Sequence, residues 1–569
     1  MAVAAKAQEV GLDVEDPLIL DDVSSHAWDE EADLVIAGLG GAGVAAAVEA
    51  LERGVSVIAV DRYEGGGSTA ANGGIFYAGG GTVIQKEAGE DDSPEEMYKY
   101  LKMEAGEVVA DSTLRKFVDE SVSTVDWLLH HGGKLNSAVW KKKASYPPLD
   151  RFLYHPDNSL VARYRKVAKP AARGHRAHIA NGKKAWGVGI GIYNPLRDSA
   201  LRLGLKFRPL TEARQLAIDA SGRVVGLKVL SIPPGSKDAA AFTKYIRRAN
   251  HFLAMLPPSI PFAAITIGIG NHYLKKAMRI ETHGRETRWI RAREGVLLST
   301  GGFIMNPKMV QRYAPAYAAG MPNGTLGDQG SGIVMGMTAG GSTALMGKVS
   351  AWRFINPPKA WSDAIVVNAK GERFVDETVY GATMGEHIVD HHGGTGWLIY
   401  DAAARKQAFR QAFDPVLVPF QRDVTLLNLL FNYKKAPTLA ALADRIGVDR
   451  DALATTVARY NRAAAGQEPD PFEKEPEDMQ PIATGPFYAM DISIASRFLP
   501  LPVITFGGLR VEENTGQVLD GEGRPIPGLY AAGRTAVGIA SQTYVSGLSY
   551  ADCVFSGRRA ARHIAKANI

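Results

Sequence analysis

Gly38, Gly40 and Gly43, with Asp61 twenty-three residues after the first, are the residues here whose types and spacing most directly specify chemistry. Asp33-Leu-Val-Ile-Ala37 reads as an apolar strand, the glycines turn it into a helix over 44–53, and residues 55–60 read as the next strand. Gly38 permits the tight turn. Gly40, followed by Gly41 and Ala42, lets the backbone approach a pyrophosphate, and Gly43 allows close helix–strand packing. The helix N-terminus attracts phosphate charge, and Asp61 can accept from a ribose hydroxyl. The unit predicts a dinucleotide site.

The residues after Asp61 narrow the dinucleotide. Gly65-Gly-Gly67-Ser68-Thr69 and Asn72-Gly73-Gly74 come where a nicotinamide dehydrogenase proceeds to an ordinary helix and strand. Small residues and free backbone N–H groups there suit a bulky, flat cofactor. Leu297-Leu-Ser-Thr300-Gly301-Gly302 ends a later strand in the same way, as does Gly528-Leu-Tyr-Ala-Ala-Gly533-Arg534 near the C-terminus. A cofactor touched from both ends of the chain is expected to be FAD.

These blocks, together with Asn368-Ala-Lys-Gly-Glu-Arg373-Phe-Val-Asp-Glu377, resemble the fumarate reductase/succinate dehydrogenase flavoprotein superfamily over most of residues 33–560. The resemblance implies FAD and chemistry at a carbon–carbon bond beside an activating carbonyl. It extends the expected cofactor contacts to Arg62, Ala213, Asp328, Leu548 and Ser549. Fumarate reductases place an arginine proton donor four residues after the glutamate matching Glu377; here Gly381 stands there. Their substrate histidine lies just before the pair matching Gly507-Gly508; here the residues are Thr505 and Phe506. The histidine that holds FAD covalently in the respiratory enzymes would fall near Gly67, so the flavin is expected to be non-covalent. The groups that clamp a dicarboxylate are missing, which argues against an enoate reductase.

Hydroxyls stand in their place: Tyr380, and Ser541-Gln-Thr-Tyr544-Val-Ser546-Gly547-Leu-Ser549. Tyrosine at both places resembles the 3-ketosteroid dehydrogenase branch, and Tyr544-x-Ser546-Gly547 is similar to its Δ4-(5α) type more than to its Δ1 type. The resemblance implies catalytic roles for Tyr380, Tyr544 and Ser546. A phenol such as Tyr544, with a reference pKa of about 10, is a suitable neutral donor to a developing enolate. A backbone N–H near Gly547 is the second candidate donor. Tyr380 and Ser546 are both candidates for the base that takes the α-proton, while the β-hydride leaves for flavin N5. Ser546 also reads as an N-cap for a helix starting near Leu548. For a 5α-reduced 3-ketosteroid the proton leaves C4 and the hydride C5, and an external electron acceptor completes turnover.

The elements that must position these residues read as an α/β fold. A Rossmann-like FAD-binding domain with an accessory antiparallel sheet is expected over 32–340 and 505–569, with an α+β catalytic domain inserted at 341–504. Residues 206–230 and about 280–291 read as accessory strands, interrupted by an insertion at about 240–280. Residues 1–31, rich in Asp and Glu, read as a disordered or surface lead-in. Arg173-Gly-His175-Arg176 reads as a domain-contact or surface loop, and Lys141–Lys143 as a solvated turn.

With 569 residues, 46% of them hydrophobic and 22% charged, the chain can bury two substantial cores, and a net charge of +5 is too small to imply nucleic acid. The single Cys553 excludes an internal disulfide and a cysteine-based metal cluster, and fits a reducing, cytoplasmic compartment. No spacing suggests a metal site. Residues 251–270 are apolar but broken by Pro257, Pro258 and Pro261, with basic residues on either side. That stretch reads as a buried insertion or dimer contact, or as a patch that dips into a membrane surface and collects a lipophilic substrate.

Overall fold

The apolar strand expected at 33–37 runs from Glu30 to Ala37, and both its neighbours are parallel. Leu34–Ala37 pair with Val57–Val60 on one side and with Gly295–Leu298 on the other. Val57–Val60 pair in turn with Lys206–Arg208. This is the crossover arrangement that a strand–turn–helix–strand unit demands. The computed structural model describes residues 8–179, 186–253 and 262–566.

The helix after the turn, Gly41–Glu52, is buried from Gly41 to Ala50 because it lies between the sheet and the C-terminal helix Leu548–Lys566. Its small side chains let the second helix come close: a Cβ on Gly557 would sit 2.2 Å from the Ala42 carbonyl. Helix, sheet and C-terminal helix share one apolar core that includes Leu34, Ile36, Val44, Val57, Val554 and Ile564.

The accessory sheet is present, and one strand joins it to the parallel sheet. Glu286–Leu298 pairs antiparallel with Val224–Ser231 through Arg291 on one side and, from Ile290 onward, parallel with Glu30–Ala37 on the other, with a register shift between Ala292 and Gly295. Thr211–Asp219 completes the antiparallel layer. The interruption is a pair of packed helices, Lys237–Leu253 and Ala263–His283. The second helix runs on to His283, so the accessory strand resumes at Glu286 rather than near residue 280. Part of the apolar stretch, residues 254–261, lies outside the described residues. Among the described residues, no helix is long and apolar enough to cross a membrane.

A separate sheet orders Ile365–Val367, Trp397–Tyr400, Phe487–Asp491 and Lys434–Ala436, and is covered by Leu439–Ile446 and Arg450–Ala464 around its own apolar cluster. This is the inserted α+β region. Inside it, burial pushes the Glu377 carboxyl up, yet Arg373 and Lys474 together hold it below the usual range.

Three expectations are corrected. Residues 8–31 are not a loose lead-in: Val10, Leu12 and Val14 are buried in the main core, and Leu18–Leu20 pairs in parallel with Ala217–Asp219. Arg173, His175 and Arg176 are wholly buried rather than on a surface loop. Asp92 neutralises Arg173 through two hydrogen bonds, and burial pulls His175 down to about 4, so it serves there as a neutral ring beside Thr82. In the expected solvated turn Lys141 and Lys142 are exposed, but the Lys143 Nζ is buried and burial lowers its pKa to about 8.

Candidate active site

A cavity of about 440 Å³ opens where the turn at Gly38, the segment after Asp61, the strand end at Thr300 and the C-terminal block meet. Gly38, Gly40, Gly41, Ala42, Asp61, Arg62, Gly67, Ser68, Thr69, Ala213, Thr300, Gly301, Asp328, Gly533 and Arg534 line it together, although they come from both ends of the chain. A Cβ on Gly38 would lie 2.6 Å from the Ser299 carbonyl, and its φ of +97° is one that L side chains rarely adopt. At Gly40 the Cβ direction meets nothing within 4 Å.

Asp61 does more than face the cavity. Its carboxylate accepts the Leu39 and Tyr63 N–H groups, each within 2.9 Å, and so pins the glycine turn to the end of the second strand. Burial raises its pKa, and those backbone donors pull it back. On the far side of the cavity Asp328 joins Ser68 to Arg534, whose Nη2 donates to Asp328 Oδ1 at 2.7 Å. The Arg534 Nη1 is buried and has no hydrogen-bond partner among the described residues. An open glycine cradle beside an unsatisfied guanidinium N–H fits an anionic, flat dinucleotide such as FAD.

Other residues of the expected cofactor set support the cavity without lining it. Gly43 is required by packing, since a Cβ there would sit 2.2 Å from the Gly38 carbonyl. Gly302 faces Thr505 Oγ1 at 2.5 Å from a Cβ position. Asn72 Oδ1 accepts from the Gly74 N–H at 2.7 Å, and the Gly73 carbonyl accepts from the Tyr146 hydroxyl. Leu548 and Ser549 begin the C-terminal helix, and Leu548 is buried.

The expected catalytic residues do come together. Tyr380 ends the loop before the helix Gly381–Glu386, and its ring lies nearly parallel to that of Tyr544, with centroids 6.4 Å apart and planes 15° apart. Tyr544 also packs on Phe506 and Trp352, and Phe354 stands edge-on to Tyr380. Gly381 matters sterically here: a Cβ would reach within 2.3 Å of the Phe354 ring, leaving no room for the arginine of the dicarboxylate enzymes. Gly547, at φ +88°, accepts from the Tyr77 N–H and so fixes the chain beside Ser546.

Two contributors escaped the sequence reading. Tyr154 lies on a short strand paired to Gly174, whose own strand pairs with Ile75–Tyr77, and its hydroxyl donates to Ser546 Oγ at 3.4 Å. Asn158 accepts the Tyr380 N–H at 2.6 Å and donates to Thr383 Oγ1 and to Glu104 Oε1, pinning the Tyr380 loop to the cofactor-binding region. Burial pushes the Tyr544 phenol up to about 12 and Tyr380 well above the ordinary phenol range. Neighbouring phenols raise Tyr380 further, while in both residues the Ser546 hydroxyl opposes the rise. The arrangement holds neutral hydroxyls in a desolvated pocket, which suits hydrogen-bond donation to a developing oxyanion.

A parallel βαβ unit, an accessory sheet and a long glycine-lined cavity touched from both chain ends define an FAD-dependent flavoprotein. The family described as FAD binding domain matches residues 33–547, and the chain belongs to it. It is 34% identical over 513 residues to the 3-oxo-5-alpha-steroid 4-dehydrogenase of Comamonas testosteroni, covering 89% of this chain and 93% of that protein. The crystal structure of 3-ketosteroid-delta4-(5alpha)-dehydrogenase from Rhodococcus jostii RHA1, in complex with 4-androstene-3,17-dione, matches with a TM-score of 0.79 at 30% identity, covering 97% of this chain and 100% of that one. A 3-oxosteroid 1-dehydrogenase of Mycolicibacterium smegmatis is 25% identical over 595 residues, covering 90% of this chain and 94% of that protein. The resemblance to the 3-ketosteroid dehydrogenase branch, on its Δ4-(5α) side, is borne out.

Proposed function

We propose that this protein dehydrogenates a 3-ketosteroid in an FAD-dependent reaction, introducing the Δ4 double bond into a 5α-reduced substrate. The observation that carries the reading is the Tyr380, Tyr544 and Ser546 cluster, in a chain that has Gly381 where the dicarboxylate enzymes place their arginine and Thr505-Phe506 where they place their histidine. It is supported by the similarity to Δ4-(5α)-type relatives over most of the chain.

Tyr544 donates to the C3 carbonyl oxygen, and the Gly547 backbone N–H is the second donor. Polarising that carbonyl acidifies the C4 proton, and a donor held near 12 stays protonated throughout the working range. The C4 proton passes to the hydroxyl pair of Tyr380 and Ser546. Burial makes a free tyrosinate costly at Tyr380, so its oxygen takes the C4 proton only as its own O–H proton leaves through Ser546 to solvent water, while the Tyr154 hydroxyl, which donates to Ser546 Oγ, orients that serine. The aromatic walls of Trp352, Phe354 and Phe506 exclude water and orient a flat, apolar ring system. When bound, FAD supplies the acceptor for the C5 hydride; Arg534, Ser68 and the Gly38–Gly43 turn would hold it. The flavin is held without a covalent bond, because Gly67 offers no side chain where the respiratory enzymes place a histidine.

The partner expectation extends to a membrane surface at the tip of the helical pair. Phe262 is 76% exposed and Ile265 61% exposed, and Lys244, Arg248, Lys275 and Arg279 are exposed on the same two helices. Exposed apolar residues at one end of a helical pair that carries exposed basic residues along its length suit an anionic bilayer. Flotation with anionic vesicles tests this; retention that survives Phe262→Ser with Ile265→Ser removes the idea.

The deciding assay is anaerobic, with a dye acceptor, comparing 5α-androstane-3,17-dione with androst-4-ene-3,17-dione. Conversion of the saturated steroid alone to the 4-ene is expected. A 1,4-diene from the second substrate would make the enzyme a Δ1-dehydrogenase, and no reaction with either would remove the steroid reading.

A further inference from the structure

The wall of the cofactor cavity near Asp61 is completed by two segments that no dinucleotide motif contains. Leu12, Asp13 and Val14 line it from the N-terminal segment, and Ile246, Arg247 and Asn250 line it from the helix Lys237–Leu253. Both are tied to the same part of the cavity. The Glu15 N–H donates to the Arg214 carbonyl at 3.0 Å, next to Ala213, and Asp13 pairs with the Arg214 guanidinium at 3.3 Å. Arg247 reaches Glu64 through two hydrogen bonds of 2.9 and 3.2 Å, three residues beyond Asp61. One turn earlier on that helix, Phe242 stacks on Tyr63 with centroids 6.2 Å apart.

The two segments also differ from the rest of the lining in how they are held. The Gly38 turn and the Thr300 strand end are built into the buried sheet. The N-terminal segment is anchored by alternate buried residues, Val10, Leu12 and Val14, and by Asn306, which donates to the Val10 carbonyl. Arg247 and Asn250 are exposed on a helix that packs on Tyr63 through the buried Phe242, and its paired helix Ala263–His283 holds Arg62 through Glu281.

We propose that these segments form a two-sided clasp for the adenosine half of FAD, and that it sets how long the cofactor stays bound. The inference rests on FAD occupying this cavity. Asp61 is the residue that the dinucleotide pattern places at the ribose, and the clasp converges on Asp61, Arg62 and Ala213. Leu12, Val14 and Ile246 are apolar groups suited to the purine faces, and Asp13 and Asn250 are polar groups suited to its edge. The helical insertion thereby acquires a role besides any at its apolar tip.

The test uses apoprotein of the full chain and two flavins as probes. FAD carries the adenosine half and FMN lacks it. Two variants are measured: Arg247→Ala with Asn250→Ala, which changes exposed helix residues only, and Asp13→Ala with Val14→Ala, which changes the N-terminal side. Flavin-fluorescence quenching gives affinities, and release on dilution gives the off-rate. Each variant is expected to bind FAD about tenfold more weakly, mostly through faster release, with FMN affinity kept within about twofold. FAD affinity unchanged in both variants would overturn the clasp, and so would equal weakening of FAD and FMN, which reports general loosening. Failure of the unaltered apoprotein to bind FAD would instead overturn the assignment of the cavity.

Discussion

The hydroxyl of Tyr154 donates to the Oγ of Ser546 across 392 residues of sequence, at 3.4 Å inside a buried pocket. Two short strand pairings bring them together: Tyr154 lies beside Gly174, and Gly174 beside Tyr77, whose N–H donates to the Gly547 carbonyl. Ser546 therefore has its hydroxyl turned toward the phenols. That orientation favours the catalytic reading of Ser546 over the helix-capping one.

If the proton leaves Tyr380 through Ser546, Tyr154→Phe removes the hydroxyl that orients Ser546 while keeping the ring. Flavin reduction by steroid, followed by stopped flow, is expected to slow about 10- to 100-fold, with steroid affinity kept within about twofold. The solvent isotope effect on that step is expected to rise. An unchanged reduction rate would reduce Tyr154 to a packing residue.

Tyr544 is expected to behave differently, because its task is donation. Tyr544→Phe leaves the stack with Phe506 and Trp352 in place but removes the O–H. Loss of one oxyanion donor costs about 10²- to 10³-fold in kcat. With its phenol pushed up to about 12 by burial, Tyr544 stays neutral below that pH. The rate is therefore expected to show no falling limb from Tyr544 between about pH 8 and 10. A falling limb that disappears in Tyr544→Phe would contradict the assigned role.

Much of this architecture was legible locally, and the misses share a cause. Gly38, Gly40, Gly43 and Asp61 are read from neighbours in sequence, because a turn and the two strands it joins are local objects. Tyr380 and Tyr544 were found through short motifs. Tyr154 carries no such mark: it is a tyrosine on a two-residue strand, and its meaning comes only from pairing. The N-terminal segment was misread because its acidic residues outweighed a clear signal, the strict alternation Val10-x-Leu12-x-Val14 of a half-buried extended chain. The charge of Arg173-Gly-His175-Arg176 reads as a domain contact or a surface loop, and Asp92, eighty-one residues earlier, is what makes full burial tolerable.

Glu104 supplies a pH test of the scaffold behind Tyr380. Burial, with added repulsion from Asp157 and Glu386, raises it from 4.5 to about 7, while Tyr100 and Asn158 donate to its Oε1. A carboxyl whose folded pKa exceeds its unfolded value keeps more protons in the native state. Stability is then fully present below about 4.5 and is lost as pH rises toward 7. Glu104→Gln removes this dependence. The unfolding free energies of the two proteins should diverge by about 3 kcal/mol, in favour of the variant, between pH 4.5 and 8. Parallel urea-denaturation curves across that range would contradict the shift.

The Glu377 centre is expected to respond in the opposite sense. Its carboxylate is fully buried, accepts two bonds from Arg373, one from Lys474 and one from the Val366 N–H, and has a depressed pKa. Stability from this group is present above its unfolded pKa and is lost as pH falls through the folded one. Glu377→Gln at neutral pH leaves two buried cations facing a neutral amide, and is expected to cost about 3–5 kcal/mol. The exposed pair Arg450 and Asp444 is the control, since solvent screens it and Asp444→Ala should leave the denaturation midpoint where it was. Glu377 lies three residues before Tyr380, so the loss should appear first as a Tyr380 loop that no longer holds its place against Asn158. Faster amide exchange at Tyr380 in Glu377→Gln, before any global unfolding, is the expected sign. Protection there equal to the unaltered protein would separate the charge cluster from the catalytic loop.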